Sequence, residues 1–143
     1  IQLKGGRTTF GVVRIGNKLY RPHKQESNFA NSVLKFLETQ NFPYSQKYLG
    51  RDEKGRDMFE FIDGSVPIEI GDTTPSQLND FMQIIKQMHD LTEKISPQGK
   101  VIRHNDLSPC NTVFRNNHPV GIIDWDSAAY GERWEDLTYI LWL

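Results

Sequence analysis

The chain has 143 residues, a formal net charge of −1, and 24% charged against 37% hydrophobic residues. That balance suits one compact globular unit and excludes a disordered chain. It leaves no electrostatic footprint for nucleic acid, and no apolar run is long enough to span a bilayer. The single cysteine, Cys110, cannot build a disulfide framework or a four-ligand zinc site, so a reducing cytoplasm is the default compartment. The first elements are β-like. Phe10 to Ile15 reads as a strand, Gly16-Asn17 as a turn, and Lys18 to Arg21 as a second strand ended by Pro22, together a hairpin. Phe29, Val33, Phe36 and Leu37 then recur at helical spacing behind Ser27, a candidate N-cap. Two further strands are expected around Gln46 to Leu49 and Asp57 to Ile62, joined by the polar turn Asp52-Glu53-Lys54-Gly55.

Asp63-Gly64-Ser65-Val66-Pro67 breaks the pattern and reads as a hinge. Residues 1–64 are therefore expected to form a small lobe with its hinge, and residues 65–143 a larger lobe. Thr74 caps a helix with Pro75 at its first position and an apolar stripe of Leu78, Phe81, Met82, Ile85 and Met88. Three short β segments follow at Lys100 to Ile102, Thr112 to Phe114 and Val120 to Ile123, and the last segment, Glu132 to Leu143, reads as a helix still running at the final residue. With Ile1 rather than Met at the start, this reads as part of a longer protein. Trp125, Trp134 and Trp142 are expected in the core, whereas Leu141, Trp142 and Leu143 are expected to leave an apolar patch.

The polar residues that carry chemistry lie in the loops between those segments. His104-Asn105-Asp106-Leu107-Ser108-Pro109-Cys110-Asn111 places an Asp at a strand end and an Asn five residues later; Gly121-Ile122-Ile123-Asp124 places a second Asp after an apolar strand. If the intervening strands form a hairpin, two carboxylates and an amide oxygen meet at one mouth. Phosphoryl transfer calls for such a set, because its transition state needs positioning and charge neutralisation more than covalent help. Magnesium takes oxygen ligands of these kinds, and a carboxylate beside a hydroxyl can orient it and take its proton.

HNDLSPCN followed by GIIDWD resembles the HxDxxxxN and Asp-after-strand pair of the aminoglycoside phosphotransferase and choline kinase family, distant relatives of protein kinases. Gln87-Met88-His89-Asp90, Trp134-Glu135-Asp136-Leu137 and the N-terminal GGRTTFGVVRIGNKLYRP resemble that family's flanking features. The resemblance implies an α+β, protein-kinase-like fold of two lobes, an antiparallel small lobe and a mainly helical larger lobe whose C-terminal helices are missing. It also implies a phosphotransferase that moves the terminal phosphoryl group of ATP or GTP to a hydroxyl of a small molecule. Asp106 would be the catalytic base, and Asn111 and Asp124 the magnesium ligands. Gly5, Gly6 and Arg7 would cover the phosphates, and the backbone of Glu60 and Ile62 would face the base of the nucleotide.

Arg21 stands where the family has a phosphate-holding Lys, with Lys18 the other choice of register, and Glu26 or Glu38 would be its helix partner. An Arg can bind phosphate through two nitrogens but does not replace a Lys one for one.

Other residues take structural readings. Asp126 is either a third acidic group or, by preference, a helix N-cap; Asp136 ties the catalytic loop to its helix; His104 and His89 are buried histidines bonded to backbone; and Cys110 is a small filler rather than half of a Cys–His nucleophile. The competing function is a nucleotide-binding module without turnover. Between Val101 and Leu143 six acidic residues face three arginines and no lysine, a slight pointer to a cationic acceptor such as an amino sugar or amino alcohol.

Overall fold

A computed structural model describes residues 11–67, 71 and 74–142. Gly5, Gly6 and Arg7 lie outside the described residues. The chain opens with the expected hairpin, β1 (Val13–Ile15) and β2 (Lys18–Arg21), turned at Gly16, whose φ of 60° suits a residue without Cβ. The helix α1 (Ser27–Thr39) follows, then β3 (Tyr48–Arg51) and β4 (Asp57–Glu60). The four strands form one antiparallel sheet in the order β1-β2-β4-β3, with Arg21 opposite Asp57. Ser27 is the first helical residue rather than the cap: no side chain caps α1, and the Ser27 hydroxyl instead donates to Asp126 at 3.3 Å. The helix ends where Asn41 adopts a left-handed conformation, φ 56°, a frequent helix stop.

In α1, Ala30, Val33, Leu34 and Leu37 fall at spacings of three and four and are buried. They share one core with Tyr48 and Phe59 of the sheet, and with Ile84, Ile85, Met88, Ile102, Leu107, Ile122 and Trp125 from the second half of the chain. Burying a Leu or Ile fully is worth roughly 1.5–3 kcal/mol, so this common core holds the two halves together. Below it, Asp57 is fully buried on β4 and accepts hydrogen bonds from His23, Asn31 and the Tyr48 hydroxyl at 3.0–3.1 Å, which anchors α1 to the sheet.

The linker after β4 is pinned rather than loose. Ser65 and Phe114 exchange backbone hydrogen bonds of 2.9 and 2.8 Å. Gly64, at φ 152°, lies so close to Val113 and the Phe114 carbonyl that an added Cβ would sit 2.5 and 2.6 Å from them. Next comes α2 (Pro75–Thr92), started by Thr74, which makes a complete capping box with Gln77. Its buried face is Phe81, Ile84, Ile85, Met88 and His89, so Ile84 takes the place expected for Met82. Then follow β5 (Val101–Arg103), the hairpin of β6 (Thr112–Arg115) with β7 (His118–Ile122), β8 (Ala129–Gly131) and α3 (Arg133–Trp142). The strand β8 was not expected from sequence; it pairs antiparallel with β5, Ile102 opposite Tyr130.

The architecture is the expected α+β one, an antiparallel sheet with its helix followed by a part built on α2, α3 and two small strand pairs. Of the three tryptophans only Trp125 is in the core; Trp134 is 60% and Trp142 80% exposed, and with Leu141 at 69% they form an apolar patch on α3. Among the described residues no helix is long and apolar enough to cross a membrane.

Candidate active site

The loop from β5 to β6 is held from below. The Asp136 carboxylate, 1% exposed at the start of α3, accepts the backbone N–H groups of His104 and Asn105 at 3.1 Å and the His89 imidazole N–H at 2.9 Å. Asp136 thus ties the loop to its helix, as expected, and the partner of buried His89 is this carboxylate rather than backbone. His104 does bond backbone. Its Nε2–H donates to the Ile123 carbonyl at 3.0 Å and its Nδ1 accepts the Asp106 N–H at 3.3 Å, which fixes the tautomer and leaves neither nitrogen for Cys110.

Burial pushes the His104 pKa below its ordinary 6.5, against the opposing pull of Asp136 and the other nearby groups. A histidine held neutral in the fold adds stability that is complete above pH 6.5 and is lost as pH falls through its lowered value. The melting temperature is therefore expected to drop between pH 7 and pH 5 by more in the parent than in a His104→Gln variant; equal drops in both would remove His104 as the cause.

Above this support lie the three residues singled out for chemistry. Asn111 donates its Nδ2–H to the Asp106 carboxylate at 2.7 Å and to the Asp106 carbonyl at 2.9 Å, so the amide oxygen faces away from Asp106. The β6–β7 pairing, Thr112 opposite Ile122, continues with the Ile123 N–H donating to the Asn111 carbonyl at 2.9 Å. The hairpin thereby delivers Asp124 beside Asn111. Asp124 is left-handed, φ 62° and ψ 59°, a conformation that Asp tolerates better than most residues and that turns the chain sharply away from β7. Burial raises the Asp124 pKa and the neighbouring Asp126 and Asp106 charges raise it further, against the lowering pull of Arg21 and His104.

Arg21 reaches across from β2. Its guanidinium is bidentate to Asp126, at 2.6 and 3.2 Å, and 4.0 Å from Asp124. It stacks on Phe59 at 4.8 Å, and its Nε is buried with no hydrogen-bond partner among the described residues. Asp126 is therefore the counter-charge of Arg21 and not a helix cap. Neither Glu26 nor Glu38 pairs with Arg21; both are exposed. At the hinge, the Glu60 N–H donates to the Lys47 carbonyl at 2.9 Å and the Glu60 carbonyl accepts from Gln46 at 3.3 Å, whereas the Ile62 backbone has no hydrogen-bond partner among the described residues.

Two contacts were not foreseen: the Arg21–Asp126 pair and a 2.7 Å bond from the Tyr139 hydroxyl to Asp106. The second had a signal, since Tyr139 follows Asp136 by three residues and so shares its helix face.

A divalent cation fits this donor set. Among the described residues no group of three or more His, Cys, Asp or Glu side chains forms a metal cluster. The set here is one carboxylate and one free amide oxygen. It suits magnesium, which keeps waters and phosphate oxygens as its other ligands.

A kinase-like fold is what the comparisons also find. Residues 74–143, just under half of the chain, match the sequence profile of the phosphotransferase enzyme family. It is similar to the trifolitoxin immunity protein of Rhizobium leguminosarum bv. trifolii, 31% identical over a 157-residue alignment that covers 97% of this chain and 59% of that protein. In three dimensions it resembles choline kinase LicA from Streptococcus pneumoniae, with TM-score 0.65 and 13% identity over 99% of this chain and 68% of that one. It also resembles the gentamicin complex of APH(2")-IIa, with TM-score 0.64 and 12% identity over 91% and 69%. A third is macrolide 2'-phosphotransferase MphH from Brachybacterium faecium, with TM-score 0.59 and 10% identity over 85% and 62%. The chain spans about three fifths of the length of the immunity protein, and these structural likenesses speak for the fold.

Proposed function

We propose that this chain moves the terminal phosphoryl group of ATP or GTP to a hydroxyl of a small molecule, with an aminoglycoside-like or amino-alcohol-like acceptor. One observation carries the reading. A hydrogen-bonded loop joins the Asp106 carboxylate to Asn111, the β6–β7 hairpin brings the residue before Asp124 against Asn111, and the part-buried Arg21 lies 4.0 Å from Asp124. In this reading residues 1–64 are the nucleotide-binding lobe with its hinge, residues 65–143 carry catalysis, and the chain works in the cytoplasm. Asp106 orients the acceptor hydroxyl and takes its proton as the oxygen bonds to phosphorus and the bond to the departing nucleoside diphosphate breaks. Asn111 and Asp124 hold magnesium, which when bound neutralises charge on the phosphates. Arg21 holds phosphate oxygens once the nucleotide replaces Asp126 at its guanidinium. Gly5, Gly6 and Arg7 would cover the phosphates, and the Ile62 backbone and the second lone pair of the Glu60 carbonyl would face the base of the nucleotide.

The test is Asp124→Ala. Its side chain is a third exposed and packs no core, so the fold is expected to hold. Magnesium-dependent affinity for ATP and GTP, read by calorimetry with and without the metal, is expected to disappear. An unchanged magnesium-dependent affinity in the folded variant refutes the ligand assignment.

The second reading is nucleotide binding without turnover, favoured by the replacement of the expected Lys by an arginine engaged with Asp126 and by a relative named as an immunity protein. ADP formation from magnesium-ATP with gentamicin, a macrolide or choline as acceptor separates the two.

A further inference from the structure

We propose that Tyr139 is a positioning residue, which holds the Asp106 carboxylate in the orientation from which it receives a proton from the acceptor hydroxyl. The proposal rests on the phosphotransferase reading above. The two oxygens of Asp106 are engaged by two different elements. Oδ2 accepts the Asn111 Nδ2–H at 2.7 Å, from the far end of the catalytic loop, and Oδ1 accepts the Tyr139 hydroxyl at 2.7 Å, from α3. With one hydrogen bond a carboxylate can still swing about that contact. With two, on different oxygens, its plane is set, while each oxygen keeps a second lone pair for an incoming hydroxyl.

The same helix face fixes the loop as well. Asp136, one turn before Tyr139, takes the backbone N–H groups of His104 and Asn105, just ahead of Asp106. So α3 sets both the start of the loop and the direction of its carboxylate. Asn105, left-handed at φ 66°, makes the sharp bend that lets the two contacts fall on successive residues. The Tyr139 ring borders a cleft beside the loop, lined also by Asn105, Trp134, Glu135 and Trp142. The bond to Asp106, helped by burial and by the Asp106 charge, pushes the Tyr139 pKa up to about 12, so at neutral pH the phenol keeps the proton that it donates to Asp106.

Tyr139→Phe removes the hydroxyl and keeps the ring. The readout is steady-state ADP formation from magnesium-ATP with gentamicin and choline as acceptor probes, in four proteins: parent, Tyr139→Phe, Asp106→Asn and the double variant. Misplacing a reacting group by part of an ångström costs roughly tenfold to a hundredfold. The Tyr139→Phe kcat is expected to fall by about that much with KM for ATP unchanged. In the Asp106→Asn background the same change is expected to cost less than about twofold, because the group being positioned is already gone. A parental kcat in Tyr139→Phe, or an equal loss in both backgrounds, overturns the proposal, the second result pointing to packing. If the parent itself turns over none of the probes, the phosphotransferase reading and this role fall together. A working parent with an indifferent Tyr139→Phe overturns the role alone.

Discussion

Asp106→Asn is expected to lower phosphoryl transfer by a factor of about 100 or more, the usual contribution of a positioned general base. The substitution is gentle on the structure. The new amide can turn its oxygen to the Asn111 N–H and donate its own N–H to the Tyr139 hydroxyl, so both contacts of the parent survive in altered polarity. Magnesium and nucleotide affinity need neither the charge nor the basicity of Asp106 and are expected to stay within about twofold. The loss belongs in kcat rather than in KM for nucleotide. Turnover at the parental rate in the Asn variant would show that Asp106 is not the base and leave nucleotide binding as the function. A lower melting temperature with proportionate loss of all binding would instead assign it a structural role.

Asp136→Ala is expected to show the opposite pattern, a large loss of stability with binding and turnover falling only as the fold is lost. Asp136 is buried and satisfies three donors at once: His89 on α2 and the two amides that open the catalytic loop. Each of the three donors left without an acceptor costs roughly 1–3 kcal/mol unless water enters. Against a total stability of about 5–15 kcal/mol, a fall in melting temperature of roughly 10 °C or more is expected.

The acid side adds an independent check. Burial by itself would raise the Asp136 carboxyl, but the hydrogen bonds from His89, Asn105 and His104 outweigh it and hold its pKa below 3.8. A depressed carboxyl contributes stability that is complete above pH 3.8 and is lost as pH falls through the folded value. Below pH 3.8 the gap in melting temperature between parent and Asp136→Ala is therefore expected to narrow. A gap that stays constant down to pH 2.5 would mean that packing, not the ionised carboxylate, holds the loop.

Features that depend on near neighbours were legible in the sequence. The Gly16 hairpin follows from turn chemistry, the α2 start from Thr74, Pro75 and Gln77, and the α1 face from apolar residues three and four apart. The Asn111–Asp106 bond and the return of Ile123 to Asn111 were legible for the same reason: five residues close one loop, and two short strands with a tight turn close the other.

Only the tertiary structure decided the contacts between residues far apart in the chain. Arg21 and Asp126 are separated by 105 positions, and no local pattern says that they will meet; Asp106 and Tyr139 are 33 apart, and the helix spacing to Asp136 says which face Tyr139 is on but not that its hydroxyl reaches Asp106. The exposure of Trp134 and Trp142 was undecidable for a related reason. An amphipathic pattern tells which residues share a face, but not which face the rest of the molecule covers. The β8 strand, three residues long, is held by pairing with β5 rather than by its own propensity. Asp126 shows the difference most directly: its position, just after Trp125, suits a cap, but the nearest unmet demand was a buried guanidinium from the other half of the chain. A bidentate charge-assisted contact outweighs an N-cap bond, so the long-range partner took the carboxylate.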